Sequence, residues 1–135
     1  MSTAKVGVSG FHHIALRACD FDATVKFYTD GLGFRKGTRW GQAPGRAIML
    51  DAGDGCCVEL FEGGQTGAKP EGALMHFALK TTDCDASFKR ALAAGATATM
   101  APQDVSVDAK PQPFHVRIAF CVGLAGETIE FFQLT

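Results

Sequence analysis

Two histidines and two glutamates at repeating positions are the residues of this chain that point most directly to chemistry. His13 and His76 are separated by 63 positions, and Glu59 and Glu130 by 71. Imidazole nitrogens and carboxylate oxygens together suit divalent metals of the zinc, nickel, cobalt, manganese or iron(II) group. The sequence therefore predicts a metal site to which each half of the chain contributes one histidine and one glutamate.

The repeat extends well beyond these four residues. Residues 13–17 (HIALR) match residues 76–80 (HFALK), and residues 58–62 (VELFE) match residues 129–133 (IEFFQ). The same offset of 63 relates four further positions of the first half, Asp20, Asp22, Ala23 and Lys26, to Asp83, Asp85, Ala86 and Lys89. His12 maps onto Met75, so His13 is the histidine that belongs to the repeat. The chain is thus a duplicated module.

Each half has the pattern of strand, helix and three further strands. In the first half, we predict strands at 11–17, 34–41, 46–51 and 56–62, with a helix that Asp20 caps and Gly31 and Gly33 end. In the second, we predict strands at 73–80, 96–101, 114–122 and 127–134, with a helix that runs from Asp83 to Gly95. Residues 103–113 are predicted to form a loop, because Pro111 and Pro113 exclude a central strand.

Strand alternation places the four candidate ligands on common faces. Residues two apart in a strand point to the same side of a sheet. His13 therefore shares a face with Arg17, and Glu59 shares one with Phe61. In the same way, His76 shares a face with Lys80, and Glu130 shares one with Phe132. These polar residues among apolar neighbours are expected to line one cavity.

Composition limits the classes of protein to consider. The 135 residues are 47% hydrophobic and 20% charged, which is typical of a globular domain. We predict one domain, with module one at about 10–63, a linker at about 64–72 and module two at about 73–134, because neither half would bury a sufficient core by itself. A net charge of −1 gives no support for nucleic acid as a partner.

The same composition bears on location. No apolar run approaches the roughly 18 residues that a membrane span needs, and residues 1–10 do not have the pattern of a secretory signal. The five cysteines form no CxxC pair, which favours reduced thiols over a disulfide framework. We therefore expect a cytoplasmic protein that does not bind membranes.

The ordered motifs resemble those of the vicinal-oxygen-chelate superfamily, which includes glyoxalase I, methylmalonyl-CoA epimerase, extradiol dioxygenases and bleomycin-binding proteins. The resemblance covers residues 11–133 and is carried by residues 13–17 (HIALR), 27–28 (FY), 32–33 (LG), 76–79 (HFAL) and 126–131 (GETIEF). It implies an α+β fold in which two tandem βαβββ modules form a curled mixed sheet around a cleft, with the helices outside. It also implies a homodimer, because members of the superfamily commonly complete barrels or sites across subunits.

Activity and site residues follow from the same resemblance. The four-ligand enzymes, glyoxalase I and the epimerases, match this chain best, which implies one divalent metal held by His13, Glu59, His76 and Glu130. The implied activity is that of a lyase or isomerase that removes a proton next to a carbonyl and stabilises the enediolate on the metal. Glu130 is implied as the base, with Glu59 as the alternative, and the implied substrate is a small molecule such as a thiol adduct or another carbonyl compound.

Five residues are candidates for substrate contact: Arg17, Trp40, Phe61, His115 and Arg117. Arg17 occupies the position at which glyoxalase I has an arginine that contacts the glutathione carboxylate. However, Gly63 stands where that enzyme has a glutathione-binding asparagine, so the use of glutathione is not implied. Trp40 and Phe61 fit either the core or a wall of the site.

Two other functions remain open at the level of sequence. Extradiol dioxygenases hold iron with two histidines and one carboxylate, and a fourth ligand at Glu59 would crowd that chemistry. A non-enzymatic protein that sequesters a small ligand in the cleft would need none of the four residues as ligands. Metal content and oxygen uptake distinguish these alternatives from a lyase or isomerase.

Overall fold

The computed structural model of the protein describes residues 10–65 and 72–135. Module one contains β1 (His13–Ala18), α1 (Phe21–Lys26) with a π-helical continuation (Phe27–Gly31), β2 (Arg35–Trp40), β3 (Ala47–Asp51) and β4 (Cys57–Glu62). Module two contains β5 (Phe77–Lys80), α2 (Cys84–Ala93), β6 (Thr97–Val107), β7 (Phe114–Val122) and β8 (Thr128–Leu134). The predicted order of elements is confirmed in both halves. Most of the predicted linker, residues 66–71, lies outside the described residues.

Each module forms one four-stranded mixed sheet, and the two sheets have the same topology. The strand order is β1-β4-β3-β2 in module one and β5-β8-β7-β6 in module two. The first strand of each module pairs in parallel with the fourth, and the remaining neighbours are antiparallel. The duplicated α+β fold predicted from the sequence is therefore confirmed.

The predicted helix caps occur at equivalent places in the two modules. The Asp20 carboxylate accepts a hydrogen bond from the Ala23 backbone N–H at 3.0 Å, and Asp83 accepts one from the Ala86 N–H at 3.0 Å. Each cap satisfies an N–H group that has no partner within the first helical turn. The helices therefore start directly after β1 and β5 and return the chain across one face of each sheet.

The two modules share one hydrophobic core that lies on the helix side of both sheets. At its centre is Tyr28, a fully buried residue of module one whose hydroxyl donates a hydrogen bond to Glu127 of module two. The helices also approach closely, since a Cβ atom added at Gly31 would lie 2.6 Å from the Cβ of Ala94. These contacts fix the position of one module relative to the other.

The prediction of a loop across residues 103–113 is wrong in its first part. Strand β6 runs from Thr97 to Val107, and Pro111 and Pro113, on which the prediction rested, lie beyond its end in the segment before β7. The strand also passes through Pro102. A proline lacks the N–H that a central strand needs, but β6 is an edge strand and its pairing with β7 shifts register between Met100 and Gln103. The shift places the proline where it interrupts no ladder, so the strand continues beyond it.

All five cysteines, each within the described residues, are free thiols. Cys84 and Cys121 are buried, and the others have some exposure to solvent. This agrees with the predicted lack of a disulfide framework. In the part of the chain that the structure describes, no helix has the length and apolar character needed to cross a membrane.

Candidate functional site

His13 and Glu59 form a close pair on the exposed face of the first sheet. His13 lies opposite Cys57 in the parallel β1–β4 ladder, and Glu59 lies opposite Ala15, so the two side chains meet on a diagonal. His13 Nε2 is 3.1 Å from Glu59 Oε1, with side-chain exposures of 37% and 14%. The pair faces away from the core, which β1 and β4 contact through their alternate residues.

His76 and Glu130 form the same arrangement in module two. Glu130 lies opposite Ala78 in the parallel β5–β8 ladder, and His76 is two residues before that alanine. His76 Nε2 is 3.1 Å from Glu130 Oε1, with side-chain exposures of 32% and 12%. Both modules therefore hold a histidine and a glutamate in the same relative geometry, as the repeat predicts.

The spacing within each pair fits two ligands of one metal ion. Bonds of about 2.0–2.2 Å that meet at right angles place two donor atoms about 3 Å apart. Within residues 10–65 and 72–135, however, no three or more side chains of histidine, cysteine, aspartate or glutamate lie close enough together to hold a metal ion. Within a single chain, the two pairs are thus two halves of the predicted ligand set that do not converge.

Two further rings contact the histidines. The Nδ1 atom of His12 lies 2.9 Å from the Nδ1 atom of His13, and Phe120 packs edge-on against His76 with ring centroids 5.2 Å apart. A partner at the second ring nitrogen is a common way to orient a metal-binding histidine. Sequence reasoning set His12 aside because Met75 occupies its place in the repeat. The adjacent positions of His12 and His13 in the sequence were the signal that could have indicated this contact.

Three of the candidate substrate contacts lie on the same face as the His13–Glu59 pair. Arg17 pairs with Phe61, Phe61 with Ala47 and Ala47 with Trp40, so these residues form one row across the sheet. Trp40 packs against Phe61 with ring centroids 6.2 Å apart. The structure therefore places Arg17, Phe61 and Trp40 beside the pair, where they would contact a ligand bound on this face.

The structure does not bring the other two candidates, His115 and Arg117, to either pair. Arg117 lies on the helix side of the second sheet, where its guanidinium binds Asp85 at 2.6 Å and Asp104 at 3.1 Å. These hydrogen bonds raise the pKa of Arg117 and lower that of Asp85. His115 shares that face of β7, and its Nδ1 atom lies 2.9 Å from the Ser106 hydroxyl.

Cys57 is a further potential donor beside the first pair. Burial raises the pKa of its thiol, and the carboxylates of Asp51 and Asp54 and the neighbouring Cys56 act in the same direction. A thiol must lose its proton to be a strong metal ligand or nucleophile. The local environment of Cys57 therefore favours the neutral form, and the imidazole and carboxylate groups remain the better donors.

A cleft of about 980 Å³ lies between β1 and its neighbours in module one and β5 and α2 in module two. His13 and His76 are both among the residues that line it. Most of its wall is apolar, and the polar side chains of one end belong to module two: Lys80, Thr81, Ser87 and Arg90. A cavity of this size accommodates a drug-sized molecule.

Solved structures share this fold over nearly their whole length. A glyoxalase/bleomycin resistance protein/dioxygenase domain from Frankia sp. EAN1pec has a TM-score of 0.74 at 24% identity, covering 96% of this chain and 94% of that one. The trypanothione-dependent glyoxalase I of Leishmania major has a TM-score of 0.68 at 22% identity, with coverage of 93% and 87%. TnmS3, an antibiotic binding protein from Streptomyces sp. CB03234, has a TM-score of 0.64 at 17% identity, with coverage of 97% and 100%. At these identities the likeness shows the fold alone.

The sequence itself carries the assignment to a family. No curated protein matches the chain. A family model described as the Glyoxalase/Bleomycin resistance protein/Dioxygenase superfamily matches residues 10–112, from the residues before β1 to the loop before β7. That span includes His13, Glu59 and His76, and Glu130 lies beyond it on β8. The chain belongs to the glyoxalase/bleomycin resistance protein/dioxygenase superfamily.

Proposed function

We propose that this protein is a metal-dependent lyase or isomerase of the glyoxalase type, with each active site assembled between the two subunits of a homodimer. His13 and Glu59 of one subunit would hold a divalent metal together with His76 and Glu130 of its partner. The observation that carries this proposal is the pair of identical His–Glu arrangements, each at 3.1 Å, on two sheets of the same topology. The symmetric relation follows from the internal repeat, and both copies hold two residues that can bind a metal.

The faces that carry the pairs support a dimer. Beside the first pair are Trp40, on the fully exposed strand β2, and Phe61, and beside the second are Phe132 and Leu134 of β8. Trp40 is 43% exposed and Leu134 is 69% exposed. Apolar side chains of this size on the face that bears the ligands favour burial by a second protein surface.

The chain's own residues suit proton transfer next to a carbonyl. A bound divalent metal would supply Lewis-acid stabilisation of the negative charge that develops on the substrate oxygens. Glu130 would remove the proton from the adjacent carbon, and Glu59 is the alternative base. Both carboxylates are largely shielded from water and each is oriented by its histidine at 3.1 Å, so neither would need to reorganise greatly during the reaction.

The substrate we propose is a small carbonyl compound, such as a thiol adduct of an α-oxoaldehyde. Among the described residues, the Arg17 guanidinium has no carboxylate partner, so it is available for an anionic group of the substrate. The glyoxalase I of Leishmania major, which shares this fold, depends on trypanothione, and a relative that depends on a thiol supports a thiol adduct. Phe61 and Trp40 would cover the apolar part of the substrate.

Complementation between two inactive variants tests the proposed site. Glu59→Gln and Glu130→Gln proteins are each expected to lose metal and activity towards methylglyoxal mixed with a panel of thiols. When the two are co-expressed or refolded together, half of the dimers contain one chain of each kind. In such a dimer, one site carries both substitutions and the other carries neither. About one quarter of the wild-type metal content and activity should therefore return.

Each result of this experiment distinguishes a different arrangement. If the mixture stays inactive although wild-type protein binds one metal per chain, the ligands come from one chain and the shared site is wrong. If Glu59→Gln behaves as wild type while Glu130→Gln is inactive, the ligand set has three members, and oxygen uptake by iron-loaded protein with catechol tests for a dioxygenase. A wild-type protein that takes up no nickel, cobalt or zinc contradicts the metalloenzyme.

The second candidate is a protein that binds a small molecule without transforming it. The cleft of about 980 Å³ supports this function, since it is large enough for a drug-sized ligand. The fold is also that of TnmS3, which is described as an antibiotic binding protein. A metal-free protein that retains a ligand of this size unchanged would favour this function over the lyase or isomerase.

A further inference from the structure

The inter-module cleft carries a second feature that the proposed reaction does not use. At its module-two end, four polar side chains are connected through the fold. Thr81 follows Lys80 at the end of β5, the Thr81 Oγ1 atom lies 2.7 Å from the Ser87 Oγ atom, and Arg90 is one helical turn after Ser87 on α2. All four residues line the cleft. Lys80 leaves the edge strand β5 on the face that carries His76, whereas Ser87 and Arg90 belong to α2 on the other face, so the two cations approach this end of the largely apolar cavity from opposite sides of β5.

Neither cation of this group is neutralised within the described residues. No described carboxylate lies within ion-pair distance of Lys80 or Arg90. Asp83 and Asp85, the acidic residues nearest in sequence, are committed elsewhere: Asp83 caps α2 and Asp85 binds Arg117. The end of the cleft formed by module two therefore has a net positive charge.

The rest of the wall is suited to a hydrocarbon or aromatic group. Leu32 and Phe34 line the module-one side, and Phe77, Leu79 and Phe131 line the module-two side. The acidic side chain among the lining residues of the described chain is Asp54, in the β3–β4 turn of module one, where its Oδ1 atom accepts a hydrogen bond from the Cys56 N–H at 3.0 Å. The charge of the cleft is thus positive at one end, and its walls are apolar.

From this arrangement we infer that the inter-module cleft binds an apolar molecule of drug size that carries one oxyanion, a carboxylate, sulfonate or phosphate, which Lys80 and Arg90 hold. The apolar body fills the space beside Phe34, Phe77 and Phe131. Because Thr81 and Ser87 share one hydrogen bond at 2.7 Å, one of the two hydroxyls donates to the other and the remaining O–H donates to an oxyanion oxygen. This inference rests on the second candidate function, ligand binding in this cleft, and names the class of ligand. It is separate from the proposed reaction, because none of these residues belongs to the two His–Glu pairs. It requires neither a metal nor a second subunit.

Two fluorescent probes with similar ring systems test the inference. 1-Anilinonaphthalene-8-sulfonate carries a sulfonate, and N-phenyl-1-naphthylamine is its uncharged counterpart. Both are titrated into EDTA-treated protein. Wild-type protein is expected to bind the sulfonate at least about tenfold more tightly than the uncharged probe, because charge-assisted hydrogen bonds to two cations add to the same apolar contacts. Added salt should reduce the difference.

Variants then locate the anion. The double variant Lys80→Gln/Arg90→Gln should lose at least about tenfold in affinity for the sulfonate and keep its affinity for the uncharged probe. The matched control is Lys26→Gln/Lys89→Gln, which removes two exposed cations that do not line the cleft and should bind both probes as wild type does. Thermal unfolding of both variants confirms that they are folded.

Three outcomes would overturn the inference. Equal affinity of wild-type protein for the two probes would show that the cleft does not recognise an anion. Equal losses in the Lys80/Arg90 and Lys26/Lys89 variants would show an effect of net charge. A protein that binds neither probe would show that the cleft is not a binding site. Because the protein is metal-free here, these outcomes are independent of the complementation between the Glu59 and Glu130 variants.

Discussion

Replacing Tyr28 with phenylalanine tests the hydrogen bond that joins the two modules. The substitution keeps the aromatic ring and removes the hydroxyl that donates to Glu127 Oε2. Tyr28 has no solvent exposure, so water cannot readily replace the lost donor. The second carboxylate oxygen, Oε1, still accepts the Ala125 N–H at 2.9 Å. We expect Tyr28→Phe to fold but to be less stable than the wild type.

The expected loss follows from the charge of the acceptor. A hydrogen bond to a charged group contributes about 1.5–3 kcal/mol to the free energy of unfolding, about twice the value for a neutral pair. The entropy of unfolding is about 2.1 cal/mol/K per residue, which for the 135 residues of this chain is about 0.28 kcal/mol/K. The melting temperature of Tyr28→Phe should therefore fall by about 5–11 °C, as measured by calorimetry or circular dichroism.

The same pair predicts a dependence on pH. Burial and the charge on Glu127 raise the pKa of Tyr28 well above its usual value of about 10. A folded state that holds the proton more tightly is favoured below the pKa of the unfolded tyrosine, and this contribution declines as the pH rises above about 10. Phenylalanine has no such proton. Between about pH 7 and pH 10, the difference in stability between wild type and Tyr28→Phe should thus be constant, and it should be smaller at higher pH.

A double-mutant cycle separates the pair from the general cost of altering a buried site. Glu127→Gln retains an acceptor for the tyrosine but removes the charge, so Tyr28→Phe should cost less in that background than in the wild type. Urea unfolding of the four proteins gives the coupling free energy. A melting temperature of Tyr28→Phe within about 1 °C of the wild type would refute the reasoning that this bond stabilises the module interface. An equal cost in both backgrounds would refute the reasoning that the charge of Glu127 strengthens it.

Two further predictions concern the same core. Gly31→Ala should destabilise the protein by about 1–3 kcal/mol, because its new Cβ would meet the Cβ of Ala94 at 2.6 Å, whereas Gly72→Ala, with open space around it, should be neutral in urea unfolding. Cys84 and Cys121 should resist thiol reagents in the native protein at about pH 8 and react after unfolding, since both are buried and burial raises the pKa of Cys121 to about 11. Rapid labelling of either thiol in native protein would contradict this.

The internal repeat was sufficient to predict that each module contributes one histidine and one glutamate in equivalent positions. It predicted that all four converge on one metal, whereas in one chain they form two separate pairs, each at 3.1 Å. Strand alternation could not predict whether the two faces meet. It describes one sheet at a time, whereas the relation between two sheets depends on contacts such as Tyr28–Glu127, which lie 99 positions apart in the sequence.

Strand register explains why His115 and Arg117, two of the candidates for substrate contact, do not lie beside either His–Glu pair. Phe120 lies opposite Glu130 and Ile118 opposite Phe132, so even-numbered positions of β7 share the face of the second pair. His115 and Arg117 are odd-numbered and point to the helix side. The sequence contains this parity, but using it requires the β7–β8 register, which the turn at residues 123–127 sets. A one-residue shift would have reversed the assignment.

The shared core also limits which protein surface can cover the exposed faces of the two sheets. Each sheet has one face that packs against helices and contributes to the core, and its other face carries a His–Glu pair with apolar neighbours. Because Tyr28, Glu127 and the close approach of Gly31 to Ala94 fix the modules through their helix sides, one chain cannot turn its two paired faces towards each other without breaking that core. A second copy of the chain meets no such restriction. In the proposed dimer, metal binding and subunit association are therefore linked. Because each dimer holds two metal sites, saturating metal should lower the dimer dissociation constant by the product of the factors by which dimerisation raises metal affinity at the two sites.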